Sequence, residues 1–446
     1  MRAIRTAGRR GTGESPGEAM ELAPEEHAIL AGERGEALRK AVDSVVRYGL
    51  AFGARRLVEI EGGGHLVTSF GSGTMKPYYA MLDDLIAAGL RSARPFTANP
   101  RPVDYANVRY GLVDHLALRL LYGKQKAYES QLTRLGLRDA FSCTCYLPEV
   151  GNTPRRDAVL AWSESSAVVF ANSVLGARTN RNAAGIDLLC NVLGKAPLFG
   201  LLTDDGRRAS WLVEVRTQAL PEAQLLGSTI GQRVVDAVPY VTGLDRFLEP
   251  ASDDATVGYL KDMGAAAASN GAVGLYHVEG ITPEAAAEGR GLLLDAYRRY
   301  VVDDDELAHV KSGYPVLWKR SDAVPRLCFI GCPHLTHRQV SEWTERILDA
   351  LRQTGRVRLE VETYLCAAPQ VLEVFRREGP TLASALRAGL RFTSLCPLMF
   401  MANPLVERRA VVTNSAKLRT YSTARYFIDD DVVRVVVEGT TKASKQ

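Results

Sequence analysis

The chain is predicted to fold as an α/β protein with mostly parallel sheets, and three observations carry that expectation. Short apolar runs alternate with amphipathic helical patterns along the sequence. With 446 residues of which 46% are hydrophobic, the chain can bury a large core in two or three domain-sized units. No segment approaches the roughly 18 to 20 uninterrupted apolar residues of a membrane span, and no apolar stretch follows the first arginines as a signal peptide would require. A cytoplasmic protein without a membrane partner is expected.

Residues 1–19 (MRAIRTAGRRGTGESPGEA) are rich in Gly, Arg and Ser without periodicity and read as a disordered basic leader, with Met20 as the functional start. The net charge of +4 is partly theirs, since Arg2, Arg5, Arg9 and Arg10 outnumber Glu14 and Glu18 by two. The remaining body is near neutral, which argues against nucleic acid as a partner. From Ala23 a helical pattern interrupted at Gly32 and Gly35 leads to the strand RLVEI at 56–60. Further strands are expected at GAVGLYHV (271–278), RLCFIG (326–331), LEVETYLC (359–366), ERRAVVTN (407–414) and VVRVVVEGTTK (432–442). Thr282 followed by Pro283 starts one helix, and Thr336 with Gln339 forms the capping box of another. A break between subdomains is placed near EPASDDAT (249–256). Ligand crevices of parallel sheets lie beyond the C-terminal ends of the strands, so residues just past each strand are the candidates for chemistry.

The Gly-rich stretch IEGGGHLVTSFGSGTMK (60–76) follows a strand but contains neither G-x-G-x-x-G nor the P-loop pattern, so a phosphate cradle is not supported. Seven cysteines in a long chain do not read as a disulfide framework. Cys143, Cys145, Cys328, Cys332 and Cys396 lack zinc-knuckle spacing, and buried structural thiols are one reading. Cys332 and Cys396 each precede a proline, and three thiolates on separate loops are the other reading, holding an iron–sulfur cluster with one iron open. The stretch AWSESSAVVFANSVLGARTNR (161–181) sets polar residues in an apolar run. Ser163 is read as the cap of a helix whose first turn carries Glu164, Ser165 and Ser166, with Ser165, Val169, Asn172 and Gly176 along one face. Arg178 and Arg181 are a possible carboxylate clamp and Asn180 a hydroxyl contact; a purely structural network is the alternative.

That stretch resembles the signature of the aconitase X family, a hydro-lyase branch of the aconitase superfamily. Supporting segments run in order from EEHAILAGERGEA through the loop at His65, FTANPRPVD (96–104), SCTCY (142–146), YHVEGITPEA (276–285), FIGCPH (329–334) and Cys396-Pro397 to TNSAKLRTYS (413–422), covering residues 20–446. The resemblance implies an aconitase-like multi-layer α/β architecture and a [4Fe-4S] or [2Fe-2S] cluster on Cys143, Cys332 and Cys396. Cys145 stands where the family usually has proline and is the alternative first ligand. It also implies a small swivelling domain that supplies a catalytic serine. The chain is expected to lack that domain and to take it from a separate small subunit.

The activity implied is dehydration of a hydroxy acid, with cis-3-hydroxy-L-proline preferred over mevalonate 5-phosphate, a preference drawn only from a composition typical of high-GC bacteria. Glu164 and His65 are the candidates for proton handling. Arg178, Asn180, Arg181, Lys417, Ser165 and Ser166 would position substrate, with Thr97, Asn99 and Asp104 behind them. A cluster-binding or ligand-binding regulator without catalysis is the competing class, and a metal-free α/β binding protein the third.

Overall fold

Three parallel sheets and one antiparallel pair organise the computed structural model, which describes residues 20–67, 75–377, 381–403, 405–406 and 409–442. The leader 1–19 and part of the Gly-rich stretch, residues 68–74, lie outside the described residues. Among them, no helix is long and apolar enough to cross a membrane.

The largest sheet runs Leu390–Thr393, Glu362–Ala367, Leu327–Leu335, Val411–Thr413, Arg425–Tyr426, all parallel. Its central strand Leu327–Leu335 is buried at every position, as a strand covered on both faces must be. The helix after it, His337–Gln353, opens on the expected capping box, each of Thr336 and Gln339 accepting the other's backbone N–H at 3.2 Å. Its apolar stripe of Val340, Trp343, Ile347 and Leu351 is buried at i, i+3, i+7 and i+11. Fully burying such a side chain contributes about 1.5–3 kcal/mol, and truncating Ile347 to Ala would cost about 2–5 kcal/mol.

A second sheet of four parallel strands orders His277–Val278, Pro239–Thr242, Ala209–Val215 and Leu293–Val302. A third contains His65–Leu66, Phe96–Ala98 and Leu137–Phe141. The N-terminal helical pattern divides as expected into Pro24–Leu30 and Glu36–Ala51, and Leu57–Glu59 pairs antiparallel with Lys195–Pro197.

One expected strand is a helix, and another is shorter than expected. Residues 432–442 lie largely in a helix, Asp429–Glu438. Three aspartates in its first turn complement the helix dipole, and Val432, Val435 and Val436 form one buried face, so packing overrides the β preference of valine. Within 271–278 only His277–Val278 pairs with a strand. Upstream, the Gly274 carbonyl accepts from Asn172 Nδ2 at 2.8 Å and the Tyr276 N–H donates to Ser173 Oγ at 2.9 Å, so helix side chains occupy backbone groups a ladder would need. Thr282 sits at the expected N-cap, but its hydroxyl bonds the Val278 backbone instead of the helix.

Candidate active site

The C-terminal ends of the third sheet and of the five-stranded sheet face a cavity of about 460 Å³. Val67, Asn99 and Cys143 reach it from just past the strands of the former; Cys332, Cys396 and Lys417 reach it from the latter. Cys332 sits where the Leu327–Leu335 strand loses register with its neighbour, between Ile330 and Leu335. Gly331 has φ +105°, and a Cβ there would collide with the Cys366 carbonyl, so only glycine lets the strand bend the thiol into the cavity.

His334 joins the three cysteine loops. Its Nδ1 shares a 3.0 Å hydrogen bond with Ser142 Oγ, beside Cys143; its Nε2 meets the Leu395 carbonyl at 3.2 Å, beside Cys396; its backbone N–H donates to Cys143 Sγ at 3.3 Å. Burial pushes each of the three thiols up to about 12. Cys145 is fully buried and does not line the cavity.

Helix Ser165–Ser173 also begins at the cavity wall. Glu164, rather than Ser163, is its N-cap, with Oε2 accepting the Ala167 N–H at 2.7 Å; the Ser163 hydroxyl instead accepts the Val67 N–H at 2.9 Å. Lys417 Nζ spends its three donors on Glu164 Oε1 at 2.6 Å, Ser166 Oγ at 2.7 Å and Ser165 Oγ at 3.2 Å. Burial alone would raise the Glu164 carboxyl, but the Lys417 ammonium overrides it and holds the group below the usual carboxylate range. Burial would likewise lower Lys417, and Glu164 raises it above the ordinary lysine value. The pair is therefore ionised, buried and hydrogen-bonded on both sides. Arg181 is the other cation lining the cavity; its Nη1 donates to the Ala268 carbonyl at 3.2 Å and it has no ion-pair partner among the described residues.

Several expected site residues are placed elsewhere. Arg178 turns away from the cavity to pair with Asp204 at 2.6 Å and Asp157 at 3.7 Å. Asn180 is consumed by the backbone, donating to the Phe199 carbonyl at 2.9 Å and accepting the Leu201 N–H at 2.8 Å. Asn172 and Gly176 do not extend a functional face from Ser165. Asn172 is buried in a network with Thr179, Gly274 and Arg207, and Gly176 lies past the helix end. His65 and Thr97 are fully buried behind the cavity, their Nδ1 and Oγ1 joined at 2.9 Å. Burial lowers His65 to about 4, so it is neutral at physiological pH, and its side chain stands behind the residues that line the cavity. Ser166 is held between Glu164 and Lys417 out of reach. Asp104 accepts from the Thr393 hydroxyl at 2.7 Å and tethers the strand end that leads to Cys396. Asn99 does line the cavity, with its side chain set against the His65 imidazole. The sequence reading assigned no role to His334, Ser142, Asn182 or Tyr421; for His334 the available signal was a histidine one residue past Cys-Pro.

A cavity beyond the ends of parallel strands, lined by three thiols and a buried carboxylate–ammonium pair, has the layout of an α/β enzyme's active site. Models of the aconitase X first and second domains match residues 19–205 and 209–312. The chain belongs to the aconitase X family, whose curated relatives are dehydratases. It is 31% identical to the phosphomevalonate dehydratase large subunit of Thermococcus kodakarensis, over 90% of this chain and 95% of that protein. It is also 31% identical to the cis-3-hydroxy-L-proline dehydratase of Pseudomonas aeruginosa, over 89% of this chain but 65% of that protein. The crystal structure of holo-form aconitase X from Thermococcus kodakaraensis superposes with a TM-score of 0.77 at 30% identity, covering 94% of this chain and all of that one.

Proposed function

We propose that the chain is the large subunit of a cytoplasmic iron–sulfur hydro-lyase that removes water from a small hydroxy acid, with a small swivelling subunit completing the site. The observation that carries this reading is the convergence of Cys143, Cys332 and Cys396 on the cavity that also holds the Glu164–Lys417 pair. The donor chemistry fits a cluster. The three thiols are soft ligands from three loops, and Lys417, the nearby cation, is committed to Glu164. Among the described residues no three Cys, His, Asp or Glu side chains are close enough to hold a single metal ion. When bound, such a cluster would offer one iron, not ligated by cysteine, as a Lewis acid for the substrate's hydroxyl and carboxylate.

The chain's own groups then bind and orient. Arg181 pairs with the substrate carboxylate at the rim. Ser165 Oγ accepts from Lys417, which leaves its O–H free to donate into the cavity, a polarised donor aimed at developing negative charge. Glu164 stays ionised and holds Lys417 in place, a positioning role in place of the proton handling expected from sequence. Asn99 lines the wall beside His65 and supplies a polar contact for the substrate. A serine from the small subunit takes the proton from carbon, as the family resemblance implies.

Cis-3-hydroxy-L-proline is the preferred substrate. The cavity is lined by two cationic side chains among the described residues, Arg181 and Lys417, and the second is neutralised by Glu164. One uncompensated cation suits one carboxylate better than a carboxylate together with a phosphate. Mevalonate 5-phosphate is the second reading, supported by the full-length match to large subunits with that named activity. The test is to offer both acids to the anaerobically assembled two-subunit complex and follow water loss. Turnover of cis-3-hydroxy-L-proline alone is expected; turnover of the phosphate ester alone reverses the choice, and turnover of neither with a full cluster removes the reading.

A further inference from the structure

The helix Leu112–Tyr122 is apolar on two opposite faces, and only one of them is covered. Asp114, Leu118 and Tyr122 point inward, with Leu118 and Tyr122 in the apolar cluster that also contains Cys332 and Phe400. On the other side Leu112, Val113, Leu116 and Leu120 are 93%, 65%, 60% and 77% exposed. At 100° per residue these four fall within one quarter-to-third of the helix circumference, opposite the buried face. A contiguous exposed stripe of this kind marks an interaction surface, because scattered exposure does not put four large side chains on one face. Its borders are basic: Arg109, His115, Arg119, Lys124 and Lys126 are exposed, while the helix's own acid, Asp114, is buried against Arg409.

The helix is tied to the active-site wall. The Tyr122 hydroxyl donates to the Met399 carbonyl at 2.8 Å, and Met399 lines the cavity beside Cys396. The segment leading to the helix departs from Asn99 and Pro100 at the same cavity. The helix thus borders the cavity wall, its covered side held to Met399 and its exposed stripe on the other side, open to a body that also reaches the cavity. The relatives indicate such a body: those matched over 95% of their length are named large subunits, whereas the chain spans only 65% and 68% of the cis-3-hydroxy-L-proline dehydratases, which carry a further third of sequence in one polypeptide.

We propose that the Leu112–Leu116–Leu120 face is the docking surface for the small subunit, met by a partner face with an apolar centre and an acidic rim. The proposal rests on the two-subunit reading above and adds the surface that reading lacks. The test is to titrate the full chain with its small subunit, wild type beside Leu116→Glu/Leu120→Glu, by calorimetry and sedimentation. Circular dichroism, melting temperature and iron content report that the variant is folded and loaded. The double variant is expected to bind roughly 100-fold more weakly or worse with those three unchanged. Arg119→Glu, a surface change outside the apolar stripe, is expected to slow association and weaken its salt dependence.

Undiminished binding by the double variant overturns the surface and leaves the partnership standing. A wild-type homodimer that the variant converts to monomer, with small-subunit binding intact, assigns the face to a second copy. Wild-type binding to vesicles of anionic lipid that the variant loses, again with small-subunit binding intact, assigns it to a membrane. A wild-type chain that binds no small subunit removes the two-subunit reading and the proposal together.

Discussion

Within the segment Ala161–Arg181, whose last residue returns to the cavity, the stretches around Glu164 and around Asn172 look alike in sequence and behave differently in the fold. In the first half, Glu164, Ser165 and Ser166 find their partner in Lys417, 251 to 253 residues away in sequence, and Ser165 keeps a face toward open space. In the second half, Asn172 is saturated by Thr179, Gly274 and Arg207, and Arg207 is in turn closed off by Glu284 at 2.6 and 3.0 Å. Polar residues in an apolar run are thus not one signal. A network that satisfies itself is structure, and one that leaves an atom facing a cavity is a site.

Substitutions on the two sides sharpen that contrast. Lys417→Ala is expected to have the largest effect: it strands the Glu164 carboxylate in the interior, at a cost of about 3–5 kcal/mol in stability, and it abolishes turnover in the folded fraction. Lys417→Ala together with Glu164→Gln should recover most of the stability without recovering turnover, and recovery of both would place the pair outside the chemistry. Glu284→Ala is expected to destabilise by a similar amount, about 3–5 kcal/mol, by unpairing the buried Arg207. Its turnover per folded molecule should stay near wild type, and a selective loss of turnover would break the division between the halves.

A smaller effect is expected from pH. His65 is neutral in the fold and lowered to about 4 by burial, against about 6.5 in the unfolded chain. The unfolded state therefore binds more protons between these values, so this residue's contribution is fully present above pH 6.5 and is lost as pH falls toward 4. His65→Gln should flatten the acid limb of the stability curve measured by urea unfolding; an unchanged limb would show that His65 is not the group responsible. The smallest effect belongs to Arg178→Ala. Its partner Asp204 is exposed, so a loss of about 0–1 kcal/mol is expected, with KM unchanged. A raised KM would return Arg178 to the substrate clamp.

What sequence alone revealed follows the same division between local and distant partners. The Thr336–Gln339 capping box, the buried strand at 326–331 and the helix break at Gly32 and Gly35 are written in neighbouring residues, and the structure contains them. The valines at 432–437 were misleading because a β-branched run fits a strand locally, while the buried stripe of the helix depends on what it packs against. Arg178 and Asn180 could not be told from Arg181, since Asp157, Asp204 and the Phe199 carbonyl claim the first two through contacts the sequence does not display. His334 stands one residue past Cys-Pro in FIGCPH, but its role as the tie between the cysteine-bearing segments arises only when Ser142 and Leu395 are brought beside it.

Iron and acid-labile sulfide per chain, measured on protein purified without oxygen for wild type beside Cys332→Ala, test the central claim most directly. Stoichiometric iron and sulfide in the wild type, lost in a variant that keeps its fold, is the predicted result. Folded wild-type chain that binds no iron even after reconstitution would contradict the account, and would leave Cys143, Cys332 and Cys396 as free thiols around a cavity with another purpose.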